Sequence, residues 1–377
     1  MALAKEDFPK KKLGFGLMRL PKLEDGTTID IEQTKKMVDA FLEAGMTYFD
    51  TAYVYDQGAS ELAAGEALVA RHPRDSFTLA TKLNAMAAKD EADAKRQIDV
   101  SLERMRTDHV DFYLLHAISK QNIDLYDKYC LWDYLDELKA SGKARHVGFS
   151  FHDSADMLEE LLDKHPNVEF VQLQVNYADW NDSIVQSGKN VAVCQRRGIP
   201  FVVMEPVRGG ALANPPKPLA DVFAKVPGTA SLPSWAIRFA ASQKGVLVVL
   251  SGMSDEAQMA DNLSYMTDFK PLDEDEMKVI AEAQEAFEGI RQIKCTGCSY
   301  CTKGCPRQIP IPMVFNAMNR YLIWNNLAAA KDKYERETTK VGRSLASECI
   351  GCGQCESVCP QHLTVIEYLK EAAETLE

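Results

Sequence analysis

From Lys12 to about Val249, short apolar runs rich in β-forming residues alternate with longer stretches whose apolar residues recur every three or four positions. The runs are Leu13–Leu17, Met46–Asp50, Phe77–Lys82, Val110–His116, Ala144–Ser150, Phe170–Val175, Ile199–Met204 and Val246–Leu250, and each predicts a strand. Between them, Ala94–Met105 sets Ile98, Leu102 and Met105 on one face, and Leu131–Leu138 does the same with Leu131, Tyr134, Leu135 and Leu138. These are amphipathic helices. Eight strand-then-helix units in about 255 residues match the count and length of a closed parallel (β/α)8 barrel, whereas an open doubly wound sheet usually stops near six strands.

A helical pattern over Leu272–Ile290, carried by Met277, Ile280, Ala281, Ala283 and Phe287, closes the barrel region. The composition then changes abruptly, which predicts a barrel over residues 1–290 and a second domain over 291–377. The 43 residues between Cys305 and Cys349 read mainly as helix, from Pro312 to about Lys340, so the second domain is expected to be all-α. A composition of 46% hydrophobic and 26% charged residues gives no reason for long disordered tracts.

The net charge of −12 is uneven: residues 291–377 carry 11 Lys+Arg against 9 Asp+Glu, so the excess of acid lies in the barrel. Nucleic acid is therefore not an expected partner. Met1–Lys12 is polar and lysine-rich, and no run of about 18 uncharged apolar residues follows, so neither a membrane span nor export is expected and the chain is placed in the cytoplasm.

Eight of the ten cysteines fall in two runs of identical spacing. They are Cys295-x2-Cys298-x2-Cys301-x3-Cys305-Pro306 and Cys349-x2-Cys352-x2-Cys355-x3-Cys359-Pro360. In a reducing compartment such clustering points to metal rather than disulfides. Three thiolates two residues apart wrap one face of a cubane, and the fourth of each run characteristically binds the other cluster. Cys295, Cys298, Cys301 and Cys359 are thus assigned to one 4Fe-4S cluster, and Cys349, Cys352, Cys355 and Cys305 to a second. A pair of structural zinc sites is the alternative, though zinc usually takes pairs of CxxC. The CxxxCxxC of a radical S-adenosylmethionine enzyme is absent. Cys130 and Cys194 lie in helical patterns and are expected to be buried small hydrophobes.

The motifs resemble those of dicluster ferredoxins, and the helical insert brings them closer to the α-helical ferredoxin domains of respiratory iron-sulfur subunits. That resemblance implies an all-α dicluster ferredoxin-like domain passing electrons to a ferredoxin or flavodoxin partner.

Chemistry in a parallel barrel sits where strands end on their C-terminal side. Asp50 ends the second strand, Lys82 the third and His116 the fourth, and Tyr55 follows Asp50 by five residues. Taken singly, Asp50 or Lys82 reads equally as a surface ion pair, His116 as a core histidine and Tyr55 as a packing residue. Together, at the ends of successive strands, they read as an active site. The set resembles the catalytic tetrad of the aldo-keto reductases, and the likeness extends to about residue 266. It implies an α/β TIM barrel that reduces a small carbonyl compound, or oxidises the alcohol. Reduction by hydride leaves an alkoxide that needs a proton, and a tyrosine of ordinary pKa near 10 is too weak an acid unless helped. Lys82 would favour the tyrosinate, Asp50 would keep Lys82 charged and fixed, and His116 would orient the carbonyl oxygen.

Gly14-Phe15-Gly16-Leu17-Met18-Arg19 begins like a dinucleotide fingerprint but lacks the third glycine and opens no helix. The resemblance instead places NAD(H) or NADP(H) over the barrel mouth. It implies Ser150 and Gln174 at the carboxamide, Arg208 and Gly209 near the pyrophosphate, and Gly252, Gln258 and Asn262 around the adenosine. The chain departs from the family pattern in having Phe151 after Ser150, where asparagine is usual, and Met204 followed by Glu205 where an aromatic often stacks. Val246–Asp268 holds neither Lys nor Arg for a 2′-phosphate, which leans toward NAD, although Asp255 and Glu256 read equally as helix N-terminal carboxylates.

Nicotinamide moves electrons in pairs and clusters move them singly, and the chain has no flavin motif to convert between them. Three alternatives to an electron-exchanging reductase stay open. The clusters are structural and the enzyme an ordinary reductase, the chain is an electron-transfer or redox-sensing module with a vestigial barrel site, or bound NAD is recycled internally during an epimerisation or elimination.

Overall fold

The computed structural model describes residues 3, 8–226 and 231–377. The chain divides into two compact units, Met1–Ala213 with Gly228–Ile280 and Asn214–Pro227 with Ala281–Glu377. In the first unit β1 (Leu13–Gly16), β2 (Tyr48–Asp50), β3 (Thr78–Leu83), β4 (Val110–Ile118), β5 (Ala144–Phe151), β6 (Phe170–Gln174), β7 (Phe201–Met204) and β8 (Val246–Ser251) pair in sequence order and close as a barrel. All pairs are parallel, including the closing pair that sets Gly14 beside Leu250. Each expected strand is present, with ends within two residues of those read from the sequence. Runs apolar throughout, buried on both faces, are what a parallel sheet sheathed by helices requires.

Side chains alternate along each strand, so one parity fills the barrel. Tyr48, Ala80, Phe112, Leu114, Phe170, Val202, Val248 and Leu250 form its buried interior cluster. The opposite parity meets the helices: Phe15 and Phe49 pack on Phe41 of the helix Ile31–Glu43, with ring centroids 5.7 and 5.2 Å away. Further along the same face of these strands stand Asp50, Lys82, His116, Ser150, Gln174, Met204 and Gly252. The pleat alone therefore gathers most of the expected site at the C-terminal mouth.

The second unit is helical. The segment read as one helical stretch is two helices, Ile311–Trp324 and Leu327–Glu337. Asn325 turns left-handed at φ 49°, and the Asn326 side chain accepts from the Ala329 amide to cap the second helix. Asparagine tolerates that backbone and caps well, which is why the chain breaks there. Cys130 also departs from expectation: it is exposed, at φ 50°, between the helices Ile123–Lys128 and Leu131–Ala140, whereas Cys194 is buried as expected. Among the described residues no helix is long and apolar enough to cross a membrane.

Among the described glycines the closest approach is at Gly148, where an added Cβ would lie 2.3 Å from the Phe170 carbonyl oxygen. Backbone cannot yield as a flexible side chain does, so Gly148→Ala should lower the stability of the barrel by about 1–3 kcal/mol. Chemical denaturation followed by tryptophan fluorescence checks this; an unchanged midpoint would mean that β5 and β6 are not packed this closely.

Candidate active site and cysteine rings

Lys82 has no exposed surface, and Asp50 is 2% exposed. The Lys82 Nζ donates to Asp50 Oδ1 at 2.5 Å and to the Thr51 carbonyl at 2.6 Å. The pairing comes from register: Asp50 lies beside Ala80 on β3, and Lys82 is the next residue of that face. Burial alone would lower the lysine pKa, but Asp50 and Tyr55 outweigh it and hold the ammonium protonated above its ordinary value. Burial raises the Asp50 pKa against the pull of Lys82.

Tyr55 stands on the loop after β2, with its ring centroid 4.9 Å from the Lys82 Nζ. The His116 ring meets it edge-on, 5.5 Å between centroids at 75°. The structure thus brings Asp50, Tyr55, Lys82 and His116 together at one mouth. One expectation needs correction. Lys82 does pull the phenol pKa down, but burial is the larger effect, with Asp50 and Glu205 adding to it, so the Tyr55 pKa lies above its ordinary value. The protonated phenol is the resting form. For His116, burial and the adjacent Lys82 charge press the imidazole pKa down to about 3. Its Nδ1 and the Asp50 Oδ2 are buried without a hydrogen-bond partner.

Beside these groups, the Ser150 hydroxyl accepts from the Ala117 amide at 2.6 Å, just past His116, and keeps its own proton to donate. Tyr126 donates to the His116 carbonyl at 2.5 Å, fixing the same stretch from behind. Gln174 donates to Asp179 at 3.0 Å, and Asp179 in turn pairs with the Arg208 Nε at 3.0 Å. Asp179, missed in the sequence, therefore organises two of the expected nucleotide contacts. Arg208, Gly209 and Gly210 form a left-handed run at φ 51°, 64° and 92°, and Glu205, three residues before it, is also left-handed.

Around the end of β8, Gly252 faces the Arg19 side chain, which a Cβ would meet at 3.3 Å. Arg19 also lies 3.9 Å from Glu205. A cation from the loop after β1 thus stands beside Gly252, a long-range contact that no local pattern reveals. Asp255 accepts from the Gln258 amide at 2.8 Å and caps the helix Glu256–Met266, and the Gln258 side chain closes that cap. Asn262 is 4% exposed, with its amide engaged by Ser251 and Tyr265.

The second unit holds two rings of cysteine. Cys295, Cys298, Cys301 and Cys359 line one cavity, with Phe315, Leu363 and Val365. Cys305, Cys349, Cys352 and Cys355 line the other, with Ile309, Ile350 and Leu369. The fourth cysteine of each run crosses to the other run's cavity, as the spacing predicts. The repeat extends to the backbone: Gly297 and Gly351, Ser299 and Gly353, and Gln308 and His362 are left-handed at matched positions. Zinc would draw four thiolates within about 4 Å of one another. Among the described residues no three His, Cys, Asp or Glu side chains converge tightly enough for a single metal ion.

Residues 294–364 match the 4Fe-4S dicluster domain. The chain resembles the L-galactose dehydrogenase of Arabidopsis thaliana, 24% identical over 78% of this chain and 95% of that protein. It also resembles an uncharacterised oxidoreductase, YqkF, of Bacillus subtilis, 25% identical over 72% of this chain and 95% of the other. Among solved structures, an aldo-keto reductase from Bacillus halodurans in its holo form superposes with a TM-score of 0.60 at 26% identity, covering 73% of this chain and 92% of that one. An aldo-keto reductase from Klebsiella pneumoniae in complex with NADPH shares the fold, with a TM-score of 0.57 at 21% identity over 71% and 89% of the two chains. With residues 12–285 matching the family profile, the chain belongs to the aldo/keto reductase family of oxidoreductases and carries a 4Fe-4S dicluster domain at its C-terminal end.

Proposed function

We propose that the barrel interconverts a small carbonyl compound and its alcohol with Tyr55 as the general acid, and that the second unit holds two 4Fe-4S clusters that exchange electrons with a ferredoxin-like or flavodoxin-like partner. The observation that carries the barrel reading is the fully buried Asp50–Lys82 pair beneath Tyr55, with His116 against the same ring. A nicotinamide cofactor, when bound, supplies the hydride. The residues at the mouth suit one: Ser150 offers a hydroxyl proton, Gln174 is held by Asp179, and Arg208 and Gly209 form a left-handed loop beside them. Asp255 is taken up by its helix cap, and Arg19 brings a cation to Gly252, so the reading admits either NAD(H) or NADP(H).

As charge develops on the carbonyl oxygen, the Tyr55 phenol releases its proton to that oxygen. Lys82 stabilises the tyrosinate left behind, and Asp50 holds Lys82 in place. His116, neutral, donates a hydrogen bond to the same oxygen without competing as an acid. In the second unit Cys298 and Cys352, one from each ring, are exposed, which suits electron exchange at the protein surface.

Tyr55→Phe removes the proton donor and should lower the turnover of a probe such as 4-nitrobenzaldehyde by about 100-fold or more, with nucleotide affinity by fluorescence quenching held within about threefold. Undiminished turnover would remove Tyr55 from the chemistry.

His116 should stay neutral well below its ordinary pKa. Since the unfolded chain takes up that proton first, the stability contributed by neutral His116 is complete above pH 6.5 and lost as pH falls toward about 3. Histidine NMR, with His116→Asn assigning the signal, should show no titration of this ring between pH 8 and pH 5; a midpoint near the ordinary value would contradict its burial.

Anaerobically isolated protein should be brown with about eight iron and eight sulfide per chain. Because the fourth cysteines cross over, Cys359→Ser should unsettle the cluster bound by Cys295, Cys298 and Cys301 and bring iron down toward about four. Loss of the cluster bound by Cys349, Cys352 and Cys355 instead would reverse the assignment.

A further inference from the structure

We propose that Arg104 is a positioning residue for the Tyr55–Lys82 couple. The inference rests on Tyr55 being the proton donor. Tyr55 lies outside any strand, on a segment where Asp56, Gln57 and Gly58 take left-handed φ values of 49°, 56° and 95°. Two consecutive non-glycine residues in that region do not hold their shape unaided, so neighbouring structure must fix the loop. The Lys22–Asp56 ion pair is partly exposed and weakened by solvent screening. Ser60, bonded to Thr51 and to the Leu17 carbonyl, fixes only the helix that begins after the loop.

The stretch leading into Tyr55 is fixed by a closed circuit. The Tyr53 amide donates to the carbonyl of Lys82 itself at 3.2 Å. The Tyr53 carbonyl accepts from the Arg104 guanidinium at 3.0 Å. Arg104 also pairs at 3.0 Å with Glu61, which has no exposed surface. Glu61 accepts from the Thr81 hydroxyl at 2.7 Å, and Thr81 precedes Lys82 on β3. The circuit thus starts and ends at Lys82 and passes once through the peptide two residues before Tyr55. Two further contacts hold Arg104 in it. Its guanidinium carbon lies 4.6 Å from the centroid of the Tyr53 ring, and a Cβ on Gly58 would lie 2.6 Å from the same carbon. Arg104 therefore packs against both ends of the left-handed loop. Lysine, a point charge on a flexible stem, could make one of these contacts but not all.

Arg104 is too far along the circuit to touch the reacting atoms, so it acts only by setting where the phenol stands. A misplacement of about 1 Å lowers turnover by up to about 100-fold. Arg104→Met should accordingly lower the turnover of 4-nitrobenzaldehyde about tenfold or more and leave nucleotide affinity within about threefold, and Arg104→Lys should recover part of the loss. Ile98→Val, a buried change in the same helix outside the circuit, should leave turnover at the native level. Hydrogen exchange measured on native holoprotein and each variant gives a readout independent of chemistry: peptides covering residues 51–58 should exchange faster in Arg104→Met while those of β4 and β5 do not. If Arg104→Met does not fold, Arg104→Lys is expected to move both readouts in the same direction, by less. Unchanged exchange over residues 51–58 overturns the proposal, as does a loss of turnover matched by Ile98→Val. Faster exchange there, with Tyr55→Phe retaining full turnover, would sink the Tyr55 reading and leave the holding role of Arg104 intact.

Discussion

An ammonium with no exposed surface is the constraint on which the barrel's mouth is built. A charge taken wholly out of water is strongly unfavourable unless it is paired and hydrogen-bonded, and removing one partner of such a pair typically costs about 3–5 kcal/mol. Lys82 meets that condition only because β2 and β3 run side by side in a register that sets Asp50 within reach and aims the Thr51 carbonyl at the same nitrogen. The charge then governs its neighbours. It pulls the Tyr55 phenol down against burial and adds to the burial that keeps His116 neutral. Burial thus keeps the Tyr55 phenol protonated against the pull of that charge, and His116 stays neutral beside it, the two states that the proposed proton transfer to oxygen requires.

The second unit solves a similar problem with backbone instead of charge. Thiolates from two distant runs must converge on one cavity, and the chain achieves this by repeating a loop whose left-handed positions recur at the same offsets. Glycine takes the strain at Gly297, Gly351 and Gly353, but Ser299, Gln308 and His362 adopt the same φ sign at a conformational cost. Metal ligation is a source of folding free energy large enough to offset such costs, and the apolar residues lining each cavity limit water around the ligated sulfurs.

Much of this was legible in the sequence, for a physical reason. A parallel barrel buries both faces of every strand, so its strands appear as compact apolar runs, and a period of two then fixes which terminal residue points inward. Asp50, Lys82, His116, Ser150 and Gln174 could be placed from that rule. The crossing of Cys305 and Cys359 was likewise contained in the spacing. What the sequence hid was set by contacts between distant segments. Arg104 reads as an ordinary polar position near a helix end, yet it reaches the loop before Tyr55. Arg19 meets Gly252 from the opposite end of the barrel's sequence, and Asp179 ties Gln174 to Arg208. The direction of the Tyr55 pKa escaped for the same reason, because burial is summed over neighbours that no local pattern lists. Cys130 and the Asn325 break show the limit at short range, where helical periodicity runs on past a single left-handed residue that ends the helix.

The exposure of one cysteine in each ring bears on why a reductase barrel carries such a unit at all. A cluster kept only to brace the fold gains by being fully enclosed, since solvent access opens the sulfurs to water and oxidants and shifts the potential. Here Phe315 and Val365 line one cavity and Ile309 and Leu369 the other, all buried, while Cys298, Cys352 and Ile350 reach the surface. That combination supports the proposed exchange of electrons with a partner over a bracing role. The barrel works in the opposite sense: the Lys82 charge has no exposed surface and lies against the Tyr55 ring. The proposed roles thus divide, with single electrons exchanged at the surface of one unit and a proton transferred within the barrel mouth of the other. Any coupling between them would meet the two-electron demand of hydride chemistry by successive one-electron steps, for which the two proposed clusters would supply the matching number of carriers.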